Sequence, residues 1–170
     1  MSENIASQIN ETNQNLFAQL DSFDEQMLNK VPYADSWTAA QVANHLTKSD
    51  RFINQLLNGP TRSTSRPPDQ YIKKLSDIFL NFESKMKSPD MIVPDDRIFG
   101  KPELVNDIKS IRAQVLESAS KVDLALTTTV DSPLGESTLL EILHFHLYHT
   151  KRHLHQLKKI QAALQGVVTI

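Results

Sequence analysis

The chain has 170 residues and no cysteine, which excludes disulfides, cysteine-based zinc sites and a cysteine nucleophile. Its net charge of −2 and pI near 6.3 give no basic footprint for binding a nucleic acid. A chain of this length is typical of one compact domain, so residues 1–170 are expected to form a single domain.

The N-terminal stretch MSENIASQINETNQ has neither the basic segment nor the apolar core of a signal peptide. No apolar run approaches the ~20 residues that span a bilayer. We therefore expect a cytoplasmic protein with no membrane span and no nucleic-acid partner.

Glycines are few and no alternating strand pattern occurs, so a sheet is not expected and the sequence is predicted to be helical. The first helix is predicted from about Asn4 to Lys30 and ends in the segment VPYAD, where a proline disfavours its continuation. The second is predicted to begin at Thr38, which forms a capping box with Gln41, and to stop at the sequence NGP.

A long crossover is predicted next, over about residues 59–101, with one shorter helix at 69–87. The third long helix is predicted from Pro102 to Thr127, since proline is tolerated in the first turn of a helix.

The last helix is predicted to begin where Thr138 and Glu141 repeat the capping box, and to run to about Leu164. Four long helices with one long connection between the second and the third predict an all-α four-helix bundle.

Five of the six histidines fall in one segment of this last helix, HFHLYHTKRHLHQLKK. His146, His149 and His153 follow the three- and four-residue spacing of the face that points to the core of a bundle. His144 and His155 fall off that face and are expected at the surface or on a helix flank.

His149 and His153 lie four residues apart, so two imidazoles on one helix face can converge on one metal ion. The sixth histidine, His45, lies on the inward face of the second helix. Buried imidazoles without a shared ion would each lose solvation and need hydrogen-bond partners. His45, His149 and His153, called the triad below, are therefore predicted to hold a divalent metal with an open coordination position, as in catalytic sites. His146 is the rival, which could coordinate, orient a ligand or only pack.

The second predicted helix opens with WTAAQVANHL, from Trp37 to Leu46, and the last contains HTKRHLHQL, from His149 to Leu157. Both motifs resemble those of the DinB-like (DinB/YfiT-like) family of metalloenzymes. The resemblance spans the chain in architecture, although its specific motifs cover about twenty residues. It implies a four-helix bundle with an up-down-down-up path, which accounts for the long crossover between helices 2 and 3.

The resemblance also implies a divalent metal (zinc, nickel or iron, among others) held by three histidines, which match His45, His149 and His153 here. His146 has no consistent counterpart in the family's motif. Many members of the family form homodimers, so a homodimer is expected.

Family activities include thiol-dependent transferases and isomerases that use low-molecular-weight thiols such as bacillithiol or mycothiol. The resemblance thus implies a metal-dependent enzyme, of the transferase or hydrolase type, with a small-molecule substrate. Since the chain has no cysteine, a thiol or water nucleophile must come from outside the protein. The alternatives are a non-catalytic metal-binding or stress-response module, and a bundle with core histidines and no metal.

Four further residues lie close in sequence to the predicted ligands and are candidates for a general base or a substrate anchor: Asp50, Arg51, Tyr148 and Arg152. Asp50, Arg51 and Arg152 fall off the inward helix faces as these are drawn from the spacing. The sequence therefore assigns no catalytic acid or base.

Overall fold

The computed structural model describes residues 2–167, in which four long helices form a bundle: α1 (Ser2–Asp21), α3 (Ala39–Asn58), α5 (Lys101–Ala119) and α6 (Leu139–Leu164). The described residues also hold two short helices, α2 (Glu25–Leu28) and α4 (Ile72–Phe79), and a 3₁₀ turn (Asp90–Ile92). A small antiparallel ribbon joins β1 (Thr61–Arg62) to β2 (Thr127–Thr128). The predicted four-helix bundle, with its long crossover between the second and third long helices, is confirmed.

The first predicted helix is two helices. α1 ends at Asp21, and the Asp24 carboxylate accepts a hydrogen bond of 2.7 Å from the backbone N–H of Met27, which caps α2. Phe23 is fully buried in the break between them. A short polar cap at this point therefore redirects the chain while its aromatic neighbour stays in the core.

The third long helix ends at Ala119, eight residues before the predicted Thr127. Thr127 and Thr128 instead pair with β1, at the beginning of the crossover. Threonine is β-branched and suits an extended strand better than a helix. These threonines therefore form a strand, and the helix has already ended eight residues before them.

The helix in the crossover is shorter than predicted, because it stops at Phe79 and does not reach residue 87. A turn follows, in which the Asn81 side chain accepts a hydrogen bond of 3.3 Å from the backbone N–H of Glu83. Such side-chain bonds offer the backbone an alternative to helix, and asparagine is typical of them.

Both predicted capping boxes are present. The Thr38 hydroxyl accepts from Gln41 N at 3.1 Å, and the Gln41 side chain accepts from Thr38 N at 3.0 Å. Thr138 and Glu141 make the same pair of bonds at 3.2 and 2.9 Å. Satisfying two free N–H groups at each start fixes the first residues of α3 and α6, the helices that carry the histidines.

The apolar core consists of two clusters, and buried polar residues of α6 lie between them in the helix sequence. One cluster includes Leu157 and the other Leu147, with His149 and His153 in the interval. Among residues 2–167, no helix combines the length and the apolar character that crossing a membrane would require.

Candidate metal centre

The structure brings the three predicted histidines together. His45 comes from α3, and its Nε2 lies 3.0 Å from Nε2 of His149 on α6. One turn further along α6, His153 places its own Nε2 3.1 Å from the same atom of His149. One nitrogen from each ring therefore converges on a common point that could hold a metal ion.

The three rings are almost completely removed from solvent, with exposed fractions of 2% for His45, 6% for His149 and 9% for His153. Burial lowers the pKa of all three, since a low-dielectric surrounding disfavours the charged imidazolium. The pKa of His149 falls well below 6.5, and that of His153 falls to about 3. The rings are thus neutral at pH 7, the form in which an imidazole binds a metal.

The opposite ring nitrogen of each histidine faces a fixed neighbour. His45 Nδ1 lies 2.8 Å from the backbone carbonyl oxygen of Ile92, and His153 Nδ1 lies 2.7 Å from Gln156 Oε1. His149 Nδ1 lies 3.5 Å from the Ser49 hydroxyl. These contacts orient the rings, as the outer partners of metal-binding histidines do.

These outer contacts determine what the inner nitrogens offer. A carbonyl oxygen can only accept a hydrogen bond, so His45 Nδ1 carries the proton and its Nε2 presents a lone pair. Gln156 Oε1 imposes the same tautomer on His153. His149 Nε2 can donate to at most one of them, which leaves at least one buried lone pair without a proton. A cation would satisfy all three nitrogens at once.

The spacing also suits a metal ion. Tetrahedral zinc at about 2.0–2.1 Å from each imidazole nitrogen would separate neighbouring nitrogens by roughly 3.3 Å. The observed separations, 3.0 and 3.1 Å, are close to that value. The residues present therefore fit a divalent cation with three protein ligands.

His146 does not join the cluster. Its Nδ1 lies 3.0 Å from Asp50 Oδ1, and both residues are buried. The structure shows neither coordination nor the orientation of a ligand by His146, which instead packs in the core against a carboxylate on α3.

The prediction that Asp50 falls off the inward face of its helix is wrong. Asp50 is 1% exposed, and its Oδ2 lies 2.9 Å from Nε of Arg112, which is also 1% exposed. Leu46 and Ile53, four residues before Asp50 and three after it, are buried apolar neighbours on the same face. Charge alone suggested exposure, whereas the spacing from these two residues indicates burial.

A chain of polar contacts extends from Asp50 across the bundle. Burial raises the pKa of this carboxyl group, but the charge of Arg112 and the contact with His146 outweigh that effect and lower it. Arg112 Nη1 also donates a hydrogen bond of 2.6 Å to Asn13 Oδ1 on α1. Buried polar groups thus connect all four long helices next to the histidine cluster.

The two remaining histidines lie outside the cluster, as predicted. His144 is half-buried, with its Nδ1 3.3 Å from the Tyr148 hydroxyl. His155 stacks on Phe82 of the crossover, with ring centroids 4.4 Å apart. Tyr148 therefore faces His144 in this structure and not the three converging nitrogens.

The two arginines considered as anchors have different surroundings. Arg51 is exposed and lies 3.8 Å from Asp107. Arg152 is half-buried and donates a hydrogen bond of 2.8 Å to the carbonyl oxygen of Asn81 in the crossover. Proximity in sequence to a predicted metal ligand therefore does not distinguish the exposed Arg51 from Arg152, which binds the crossover.

The fold and the site together define a class of protein. It is a four-helix bundle with three neutral imidazoles that converge in its core, where they could hold a metal ion. Residues 8–157 match the family model of the DinB superfamily. The chain therefore belongs to the DinB superfamily, as its two motifs predicted.

Relatives agree with this assignment in sequence and in fold. YuaE of Bacillus subtilis (strain 168), itself uncharacterized, is 24% identical over 158 residues, which cover 92% of this chain and 96% of YuaE. The crystal structure of TT2238, a four-helix bundle protein, superposes with a TM-score of 0.61 at 20% identity, covering 94% of this chain and 99% of that one.

YfiT from Bacillus subtilis is a second structural neighbour, with a TM-score of 0.59 at 15% identity, over 98% of this chain and 89% of YfiT. It is described as a probable metal-dependent hydrolase with an unusual four-helix bundle topology. At these identities the likeness of both structures shows the fold alone.

Proposed function

We propose that this protein is a metal-dependent enzyme of the hydrolase or thiol-dependent transferase type, acting on a small molecule. His45, His149 and His153 would hold its divalent cation. The observation that carries the proposal is the convergence of three Nε2 atoms whose rings are fixed from behind by Ile92, Gln156 and Ser49. Without a bound cation, burying three imidazoles would cost the free energy of their solvation.

A divalent cation at this point supplies Lewis acidity, which makes water or a thiol a competent nucleophile near neutral pH. The protein contributes no cysteine, so a thiol nucleophile would come from a cosubstrate and a water nucleophile from solvent. His45, His149 and His153 would be the protein ligands of the cation, and three is the number found in catalytic zinc sites.

Aromatic rings pack against two of the three buried histidines. The Phe145 ring stacks on His149 with centroids 5.0 Å apart, and the Trp37 ring lies 5.0 Å from that of His45. In such a water-poor setting, electrostatic interactions with a reacting group are stronger than in bulk water.

The description of YfiT as a probable metal-dependent hydrolase supports the hydrolytic form of the proposal. Thiol transfer is supported by the resemblance of its motifs to those of thiol-using family members. Both reactions need the same three histidines, so one set of variants tests both.

The experiment compares wild type with His149→Ala and with the matched control His144→Ala, an imidazole on the same helix outside the cluster. Zinc, nickel and iron content is measured first. Hydrolysis of generic esters and amides, and conjugation of bacillithiol or glutathione to a generic electrophile, are then assayed. We expect activity in wild type and control and at least a 100-fold loss in His149→Ala.

The outcomes separate the alternatives. Wild type that retains no stoichiometric metal, even after metal is added, would contradict the metal centre. Stoichiometric metal without any of these activities would favour a non-catalytic metal-binding module.

A further inference from the structure

The part of the crossover that follows α4 and enters the 3₁₀ turn lies against the histidine cluster. We call residues 80–91 the strap. Apart from the first two residues of the 3₁₀ turn, Asp90 and Met91, it has neither helix nor strand. Within it, a backbone hydrogen bond of 3.3 Å joins Ser84 N to Asn81 O. Side chains of the helix bundle, more than its own backbone, hold the strap in place.

Arg152 holds the first half of the strap. Its guanidinium donates hydrogen bonds to three backbone carbonyl oxygens: at 3.4 Å to Phe79, at 2.8 Å to Asn81, and to Ser84. Arg152 directly precedes His153 in α6. The residue next to a proposed ligand therefore binds the segment that covers it.

The far end of the strap reaches the cluster itself. The carbonyl oxygen of Ile92, the residue after the strap, accepts the hydrogen bond of 2.8 Å from His45 Nδ1. The Ser88 hydroxyl lies 3.5 Å from the same nitrogen. Movement of this end would therefore release the ring of His45 from its partner.

Aromatic contacts complete the cover. The Phe82 ring lies parallel to that of His155, 11° from coplanar. Just before the strap, the Phe79 ring meets Phe145 edge-on with centroids 5.0 Å apart, and its centroid lies 6.1 Å from that of His149. The crossover thus meets the cluster at two places: the Phe79 ring lies near His149, and Ser88 and Ile92 lie against His45.

A substrate cannot reach rings that are 2–9% exposed unless some part of the protein moves. α3 and α6 are continuous helices with their buried faces packed in the core, so moving them would disrupt many contacts. The strap has neither the continuous backbone hydrogen bonds of a helix nor a face packed in the core clusters. Segments of this kind open at the lowest cost in free energy.

We propose that the strap is the gate through which the cation and the substrate reach the histidine cluster, and that Arg152 is its latch. Arg152 is thus a positioning residue, which acts through the strap. The gate rests on the proposed metal centre, whereas the latch contacts stand in the structure by themselves.

The test uses full-length Arg152→Gln and the control Lys159→Gln, which removes an exposed cation of the same helix. In metal-free protein, trypsin cleavage after Lys85 and Lys87 in the strap is followed by mass spectrometry. In zinc-loaded protein, the rate of zinc transfer to a competing chelator is measured together with the equilibrium zinc affinity. We expect both rates to rise at least about fivefold in Arg152→Gln, with a smaller change in affinity, and to stay at wild-type values in the control.

The failures are distinguishable. Zinc binding with equal cleavage and transfer rates in both variants would overturn the gate alone. A wild type that binds no zinc would overturn the metal centre and the gate with it.

A second variant keeps the test decisive if Arg152→Gln does not fold. Since the chain has no cysteine, Phe82→Cys with His155→Cys provides two unique thiols at the stacked pair, which a short bismaleimide can join. We expect the cross-link to slow zinc transfer at least fivefold relative to the same variant capped with N-ethylmaleimide. Equal transfer rates would overturn the gate.

Discussion

His45 Nε2 lies 3.0 Å from His149 Nε2, although 104 positions separate the two residues in the chain. One is on α3 and the other on α6, so a cation bound between them would tie two helices of the bundle together. An ion that binds only the folded state stabilises it by mass action. The contact therefore has consequences for stability as well as for chemistry.

Zinc is expected to raise the melting temperature, and a chelator to reverse the gain. At free zinc of 100 times the dissociation constant the stabilisation is about 2.7 kcal/mol, or roughly 5–11 °C for a chain of this size. His45→Ala should lose the increase because it removes the ligand from α3, whereas His144→Ala should keep it. Thermal melts followed by circular dichroism measure this. Identical melts of wild type with and without zinc would contradict coordination between the two helices.

Gln156 is expected to set zinc affinity through His153. Its Oε1 lies 2.7 Å from His153 Nδ1 and holds the tautomer that presents Nε2 to the cluster. Gln156→Leu should weaken zinc binding by about 10–100-fold, the usual effect of losing such a partner. Gln156→Glu keeps an acceptor and should recover most of the affinity. Competition titration measures the affinity, and nitrogen NMR of His153 reports the tautomer; equal affinity in Gln156→Leu would argue against this role.

The triad could be predicted because its signals are local. Spacing along α6 puts His149 and His153 on one face, and the same reasoning turns His45 inward on α3. The capping boxes at Thr38 and Thr138 mark where both helices begin. Short-range rules of periodicity and capping are sufficient for these features.

The partners of the triad could not be predicted in the same way. The bond to His45 comes from the backbone carbonyl of Ile92, and every residue type carries one. Where the crossover returns over the bundle depends on contacts such as Arg152 with Asn81, which are 71 positions apart. Long-range backbone contacts of this kind have no sequence pattern.

The burial of Asp50 and Arg112 was not predicted for a different reason, because charged residues are seldom buried. Each lies on its helix between buried apolar residues, and together they neutralise one another. Two opposite charges on inward faces of neighbouring helices are a signal that could have been found. Their pairing predicts how the free energies of unfolding of the two single variants and the double variant should differ.

Asp50→Leu is expected to destabilise the protein by about 3–5 kcal/mol, because it leaves the Arg112 guanidinium buried without its counter-charge. Adding Arg112→Met removes that charge and should recover a large part of the loss, despite the missing contacts to His146 and Asn13. Urea denaturation of wild type, both single variants and the double variant gives the coupling. Additive losses would contradict the pairing.

Glu141 ties the beginning of the crossover to α6. Its fully buried carboxylate accepts hydrogen bonds from both terminal nitrogens of Arg66, at 2.8 and 2.6 Å, and from the backbone N–H of Tyr71 at 2.8 Å. It also closes the capping box with Thr138. Burial raises the pKa of this carboxyl group, but the bonds from Arg66 and from the backbone outweigh it and hold the pKa below the ordinary value of 4.5.

The stabilisation by Glu141 should therefore depend on pH in a defined window. Well above pH 4.5 the carboxylate is charged in both the folded and the unfolded state, so the effect is complete. As the pH falls below 4.5 the unfolded state takes up the proton first, and the stabilisation is progressively lost. Glu141→Gln removes this titration and should cost about 1.5–3 kcal/mol at pH 7. Urea denaturation from pH 7 to 3.5 should show the difference between wild type and variant constant down to about pH 5 and shrinking below pH 4.5; a difference unchanged at pH 3.5 would show that Arg66 does not stabilise the charged form of Glu141.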